Sequence, residues 1–126
     1  MKILTVKEYL EEQQTYNDMS TGVTSEKFNA DFAHLLKSRV SNRIIFNKNE
    51  PDCHYIKLKT QFSLNLKIID TLDVLMKVYS ELLEIAHTQN LVQIVVQEIC
   101  VTPIIIDIYN NLEKERGIMV LLKYIK

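Results

Sequence analysis

The alternation of apolar and polar residues is sharpest in the middle of the chain. In IKLKTQFSLNLKI, residues 56–68, the even positions include Ile56, Leu58, Phe62, Leu64, Leu66 and Ile68, and the odd ones are Lys57, Lys59, Gln61, Ser63, Asn65 and Lys67. A period of two marks a strand with one dry and one wet face. A single strand of this length would span about 43 Å at ~3.3 Å per residue. That overhangs a domain whose radius of gyration is roughly 14 Å. Downstream the period changes. Leu64, Ile68, Leu72, Leu75, Met76, Tyr79, Leu82, Leu83 and Ala86 step by threes and fours, as one face of a helix does. The pattern predicts a strand over 54–62 that hands over near Ser63 to Asn65, both tolerable N-caps, to a long helix over 65–88.

The same reading runs along the rest of the chain. TVKE sets Thr5 and Glu8 at capping-box spacing, opening a first helix whose signal fades after Gln14. A second helix is predicted from Thr24, with Val23 and Phe28 as a hydrophobic staple. Its core stripe is Phe28, Phe32, Leu35 and Leu36, and it ends near Ser38. RIIFN, residues 43–47, reads as a strand, joined to the next by the turn residues Asn49, Pro51 and Asp52. LVQIVVQEICV, residues 91–101, is β-branched on both faces, as buried strands of parallel sheets are; a helix is the competing reading. Thr102-Pro103 then resembles an N-cap followed by proline at the first helical position. It predicts a helix presenting Ile105, Ile108, Tyr109 and Leu112 to the core and closed by Gly117, before a last buried strand, IMVLLKYI.

These elements predict an α/β or α+β protein with a single domain over 1–126: a helical pair over 1–40, then a β-hairpin followed by αβαβ over 41–126. Two strand–helix–strand units, right-handed by default, imply a small mixed four-stranded sheet with a parallel core. If 91–101 is helical, the alternative is a mostly α-helical domain. The order hairpin, helix, strand, helix, strand is similar to that of the STAS fold, a likeness of element order with no motif behind it.

Composition narrows the class. The chain has 126 residues, enough to bury a core without staples. With 47% apolar and 25% charged residues it matches soluble globular proteins, and two Gly and two Pro leave little scope for disorder. Two cysteines, Cys53 and Cys100, are too few for a disulfide framework, which implies a reducing compartment, the cytoplasm or a host cytosol. The apolar run at the start is far too short for a signal peptide. The most apolar stretch, residues 91–106, is broken by Gln93, Gln97, Glu98 and Pro103, so no membrane span is expected.

Charge is unevenly laid out. Residues 1–36 carry three Lys against six acids, residues 37–67 seven bases against two acids, and residues 68–126 five bases against eight acids. The basic middle is the largest compositional anomaly. Tyr55, Lys57, Lys59 and Gln61 share the wet face of the predicted strand, with Arg39, Arg43 and Lys48 near in sequence. A solvated, lysine-protected strand is the plain explanation. An acidic protein surface, or single-stranded nucleic acid stacking on Tyr55, would also use such a face; the overall pI near 6.3 argues against a dedicated nucleic-acid binder.

Other chemistry is thin. Cys100 and Thr102 would lie at the C-terminal end of a strand opening onto a helix, the usual ligand side of an open α/β sheet, yet that turn has no glycine for close phosphate approach. Cys53 and His54 are adjacent in a strand and point to opposite faces, and His34 and His87 stand apart, so no metal site or Cys–His pair is expected. No GxSxG, P-loop or GxGxxG motif occurs. The expectation is a small protein without catalytic activity, cofactor or metal. It would act as a protein-binding regulator (inhibitor, adaptor or immunity-type protein of a phage or mobile element) that docks an acidic partner surface through Arg39, Arg43, Lys48, Tyr55, Lys57 and Lys59. Nucleic-acid binding through the same strand face is the alternative.

Overall fold

In the computed structural model, the residues described are 2–9, 25–39, 42–47, 52–58, 71–108 and 111–125, with the backbone alone over 102–108 and 111–116. Five strands form one mixed sheet: β1 (Lys2–Leu4), β2 (Ile44–Phe46), β3 (His54–Lys57), β4 (Gln93–Ile108) and β5 (Asn111–Ile125), in the spatial order β1-β3-β5-β4-β2. β5 is central and antiparallel to both β3 and β4; β1 is antiparallel to β3; β2 is parallel to β4. The helices are α1 (Ser25–Lys37) and α2 (Thr71–Thr88).

The two faces of the sheet follow the strand alternation. Ile44, Ile56, Ile94, Val96, Val120 and Leu122 meet Phe28, Phe32 and Leu35 of α1 and Leu75, Val78, Leu82 and Ala86 of α2 in the main core. Leu4, Cys100 and Met119, with Tyr9 and Tyr55 packed against them, form a smaller cluster on the opposite face. A bulge in β4 shifts the register between Val96 and Glu98. An extra residue inverts the parity of everything after it, which returns Ile99 and Val101 to the helix side where Ile94 and Val96 already point.

Local chemistry sets the element ends. Glu8 N–H donates to Thr5 Oγ1 at 3.2 Å, and Thr5 Oγ1 donates to Glu8 Oε1 at 3.3 Å, so the predicted capping pair caps the helical turn over 6–9. α2 closes in a Schellman motif: Leu91 N–H reaches the Ala86 carbonyl at 2.8 Å, Asn90 N–H reaches that of His87, and Asn90 takes φ 53°. Asparagine is the residue after glycine that best tolerates this left-handed position. Leu91 then buries against the end of the helix it has just left.

Several expectations hold. Residues 93–100 are strand, the stripe Phe28, Phe32 and Leu35 is buried, and the class is α+β with a mixed sheet. Others are corrected. Among the described residues the sheet has five strands, because residues 2–4 form β1. β2 and β3 do not make a hairpin; β2 pairs with β4, β3 pairs with β5, and two strands lie between them. The helix predicted from Thr102-Pro103 is absent. β4 runs through both residues to Ile108 and returns as β5, with Thr102 opposite Gly117 and Pro103 opposite Arg116. Ile104, Ile105, Ile106 and Ile108 are the reason: a β-branched run suits a strand, and it overrides a local capping signal. The only parallel pair among the described strands is β2–β4, so the parallel core and the STAS-like order both go. The first helix beyond Tyr9, the Val23–Phe28 staple, strand residues 59–62 and helix residues 65–70 lie outside the described residues.

Candidate functional site

α1 and α2 pack side by side on the sheet and leave a groove between them. Along α1 it is lined by Asp31, His34, Leu35 and Ser38, then Arg39; along α2 by Leu72, Leu75 and Met76. Both sets recur at three and four residues, one face of each helix. The cavity measures about 440 Å³, within the range of peptide side-chain and small-ligand sites. Leu35 and Leu75 are buried in its floor, while Leu72 stands 51% exposed at its rim. Leu72 belongs to the apolar stripe predicted to face the core, and the structure turns it to the groove.

Arg39 closes one end. α1 finishes with Ser38 N–H on the Leu35 carbonyl and Arg39 N–H on that of Leu36, both at 3.1 Å, a tightened last turn. This directs the guanidinium across to α2, where Nη2 lies 2.9 Å from Met76 Sδ. A thioether is a weak acceptor, so among the described residues the charge is held over apolar surface without a carboxylate. Asp31 lies at the other end, about 12 Å away along the helix axis at 1.5 Å per residue.

The other residues proposed from sequence are dispersed. Arg43 immediately precedes edge strand β2, where its carbonyl accepts Ile94 N–H at 2.6 Å. Tyr55 and Lys57 lie on β3, on the sheet face opposite the helices, opposite Leu121 and Met119. With β4 and β5 between them, β2 and β3 are roughly 14 Å apart at ~4.8 Å per strand. Lys48 and Lys59 fall outside the described residues. Arg39 therefore joins an apolar groove, Arg43 flanks a sheet edge, and Tyr55 and Lys57 belong to another surface.

That surface is not a bare platform. The Tyr9 ring stacks on Tyr55 at 4.1 Å between centroids and 11° between planes, so one face of Tyr55 is occupied. Tyr9 also packs against Cys100. Burial pushes the Cys100 thiol up to about 11; the Tyr9 hydrogen bond opposes this, and the Glu98 charge adds to it. Burial likewise raises the Cys53 thiol, helped by Asp52. Both sulfurs are free thiols, and a thiol with a raised pKa is a poor nucleophile at neutral pH. Cys100 also sits inside strand β4, which continues to Ile108, and not at a strand's C-terminal end.

The unfolded Cys100 ionises near 8.5 while the folded one holds its proton to about 11. Its contribution to stability is complete below the first value and is lost as pH rises through the second. Thermal melts should show the wild type losing stability between about pH 8.5 and pH 11, with a smaller loss in Cys100→Ser. Equal alkaline slopes in the two proteins would show that Cys100 ionisation does not set the effect.

Two buried polar residues went unseen in the sequence. β2 ends at Phe46, and beyond it the outer edge of β4 is met by α1. Ile99 N–H donates to Asn29 Oδ1 at 2.6 Å, Asn29 Nδ2 donates to the Ile99 carbonyl at 3.3 Å, and Val101 N–H donates to Ser25 Oγ at 2.8 Å. Helix side chains thus replace the missing strand. Gln97, at the bulge, is the other buried polar residue. The signals were present: Asn29 interrupts the Phe28–Phe32 stripe, and Gln97-Glu98 breaks the alternation with two polar residues in succession.

Among the described residues no group of three or more His, Cys, Asp or Glu is placed to hold a metal ion, and no helix is long and apolar enough to cross a membrane. No family model, curated protein or solved structure matches this chain.

Proposed function

We propose that the protein is a non-enzymatic binding module that docks an acidic segment of another protein in the groove between α1 and α2. The observation that carries this reading is the Arg39 guanidinium, resting on the Met76 sulfur at one end of an apolar cavity whose rim residue Leu72 is exposed. An arginine fork prefers a carboxylate to a thioether. A partner segment with an apolar anchor for Leu35, Leu72 and Leu75 and a carboxylate for Arg39 satisfies both parts of the groove. Asp31 at the far end sets the orientation, because it repels an acid placed there. The free cysteines fit residence in the cytoplasm or a host cytosol, and the inhibitor, adaptor and immunity roles of phages and mobile elements are the ones such a module would serve. Arg43 adds charge at the neighbouring sheet edge, where it steers association more than it contributes affinity.

Panning a random peptide library on the immobilised protein tests the reading. Selected peptides are expected to pair one large apolar residue with Asp or Glu. They should bind Arg39→Glu at least about tenfold more weakly, the loss of one charge-assisted contact. Peptides without acidic enrichment, or equal binding to Arg39→Glu, would refute it. A shift of single-stranded DNA or RNA lost in Lys57→Glu would move the function to the β3 face.

A further inference from the structure

A second cavity, separate from the helix groove, opens where the β4 bulge meets the first turns of α1. It measures about 380 Å³ and is lined by Glu26, Asn29, Gln97, Glu98 and Leu121. Its polar groups differ in how they are engaged. The Asn29 amide is committed to the backbone of Ile99 and Ser25. Gln97 is not committed: the residue is only 7% exposed, and its Nε2 is buried without a hydrogen-bond partner.

An orphaned buried amide is unusual, because it carries a desolvation penalty that no hydrogen bond offsets. The fold gains nothing from it, since a methionine of similar length would fill the same space without the penalty. A polar group kept at a cost is a pointer to a ligand. The orphan is a donor, so the ligand offers it an acceptor oxygen. Gln97 lines the cavity, and the side-chain torsion that carries its amide is soft, so the amide can turn to meet a ligand there. Glu26 and Glu98 are exposed at the same cavity and add two negative charges. They repel an anionic acceptor and attract a cation. A simple cation would leave Nε2 unpaired, and a metal ion cannot accept its hydrogen bond. A ligand that meets every group has a neutral carbonyl oxygen next to an ammonium.

We infer that the cleft beside the bulge binds an α-amino amide, the ammonium-plus-carbonyl unit of a polypeptide amino terminus or of a free amino-acid amide. Gln97 Nε2 donates to the carbonyl oxygen, and the Glu26 and Glu98 carboxylates hold the ammonium. Leu121 supplies the apolar wall. Capture of a chain's amino terminus is a known recognition mode, here carried out by side chains.

Nuclear magnetic resonance on ¹⁵N-labelled protein reads the site directly, because the Gln97 side-chain amide gives its own pair of signals. Titration with glycinamide is expected to move that pair and the Glu26 and Glu98 backbone amides saturably, at millimolar concentration. N-acetylglycinamide, which lacks the ammonium, should leave them in place. Glu98→Gln, a change at an exposed position, should weaken glycinamide about tenfold, the value of one charge-assisted hydrogen bond. Gln97→Met should remove saturable binding without lowering the melting temperature. Triglycine amide separates the two sources: tighter binding than glycinamide assigns a polypeptide terminus, and equal binding assigns a free amino-acid amide. No saturable shift of the Gln97 amide, equal shifts from the acetylated compound, or unchanged affinity in Glu98→Gln would each overturn the inference.

Discussion

Replacing Asn29 by leucine is expected to cost about 2–6 kcal/mol, the sum of leaving two buried backbone groups unpaired. Asn29 is only 4% exposed, and it serves both the N–H and the carbonyl of Ile99, at 2.6 and 3.3 Å. Leucine fills similar space and favours the helix more, so propensity and packing would predict a gain. The loss arises wholly from the edge of β4, where no described strand lies beyond β2 and α1 supplies the partners. Ser25→Ala, which removes only the acceptor for Val101 N–H, should cost about 1 kcal/mol. Urea midpoints compared at constant m-value would order the proteins wild type, Ser25→Ala, Asn29→Leu. A leucine variant as stable as the wild type would mean that water replaces Asn29 and the edge is open.

Phe32→Ala should be as damaging, at about 3–5 kcal/mol. The side chain is wholly buried between α1 and the sheet, and its ring meets Phe46 of β2 edge-on, 6.4 Å between centroids and 69° between planes. Truncation empties the space that holds α1 against β2 and forfeits an aromatic pair worth roughly 0.5–1.5 kcal/mol. Against a total of about 5–15 kcal/mol for an ordinary domain, that is a large fraction. Phe32→Leu, which keeps most of the volume, should recover more than half of the loss. Because Asn29 and Phe32 share one helix, their effects should not add. Calorimetric melts of both single variants and the double variant would show this, and full additivity would mean that α1 is not one cooperative unit.

What was legible in the sequence depended on how local the determinants were. The Thr5–Glu8 cap, the Phe28–Phe32–Leu35 stripe and the strand at 93–100 each rest on residues a few positions apart. The β2–β3 hairpin failed because turn chemistry at Asn49 to Asp52 says nothing of which strands lie between. The helix expected after Thr102 does not form because four isoleucines outweigh two residues of capping signal. Of the site, the basic character of residues 37–67 was visible, and its dispersal was not, since the distance of Arg43 from Tyr55 and Lys57 follows from the insertion of β4 and β5 between β2 and β3. Leu72 lay in the expected stripe, but only the packing of α1 on α2 shows that it borders a groove.

The central claim, that Arg39 receives a carboxylate in the α1–α2 groove, is tested most directly by a charge swap. Fluorescence anisotropy would measure a selected acidic peptide, and the same peptide with its Glu or Asp changed to Lys, against wild type and Arg39→Glu. Each single reversal is expected to weaken binding about tenfold or more, and the double reversal to restore much of the loss, with a coupling of at least about 1 kcal/mol that shrinks as salt rises. Single losses that simply add in the double reversal would contradict the claim, because the two charges would then not meet.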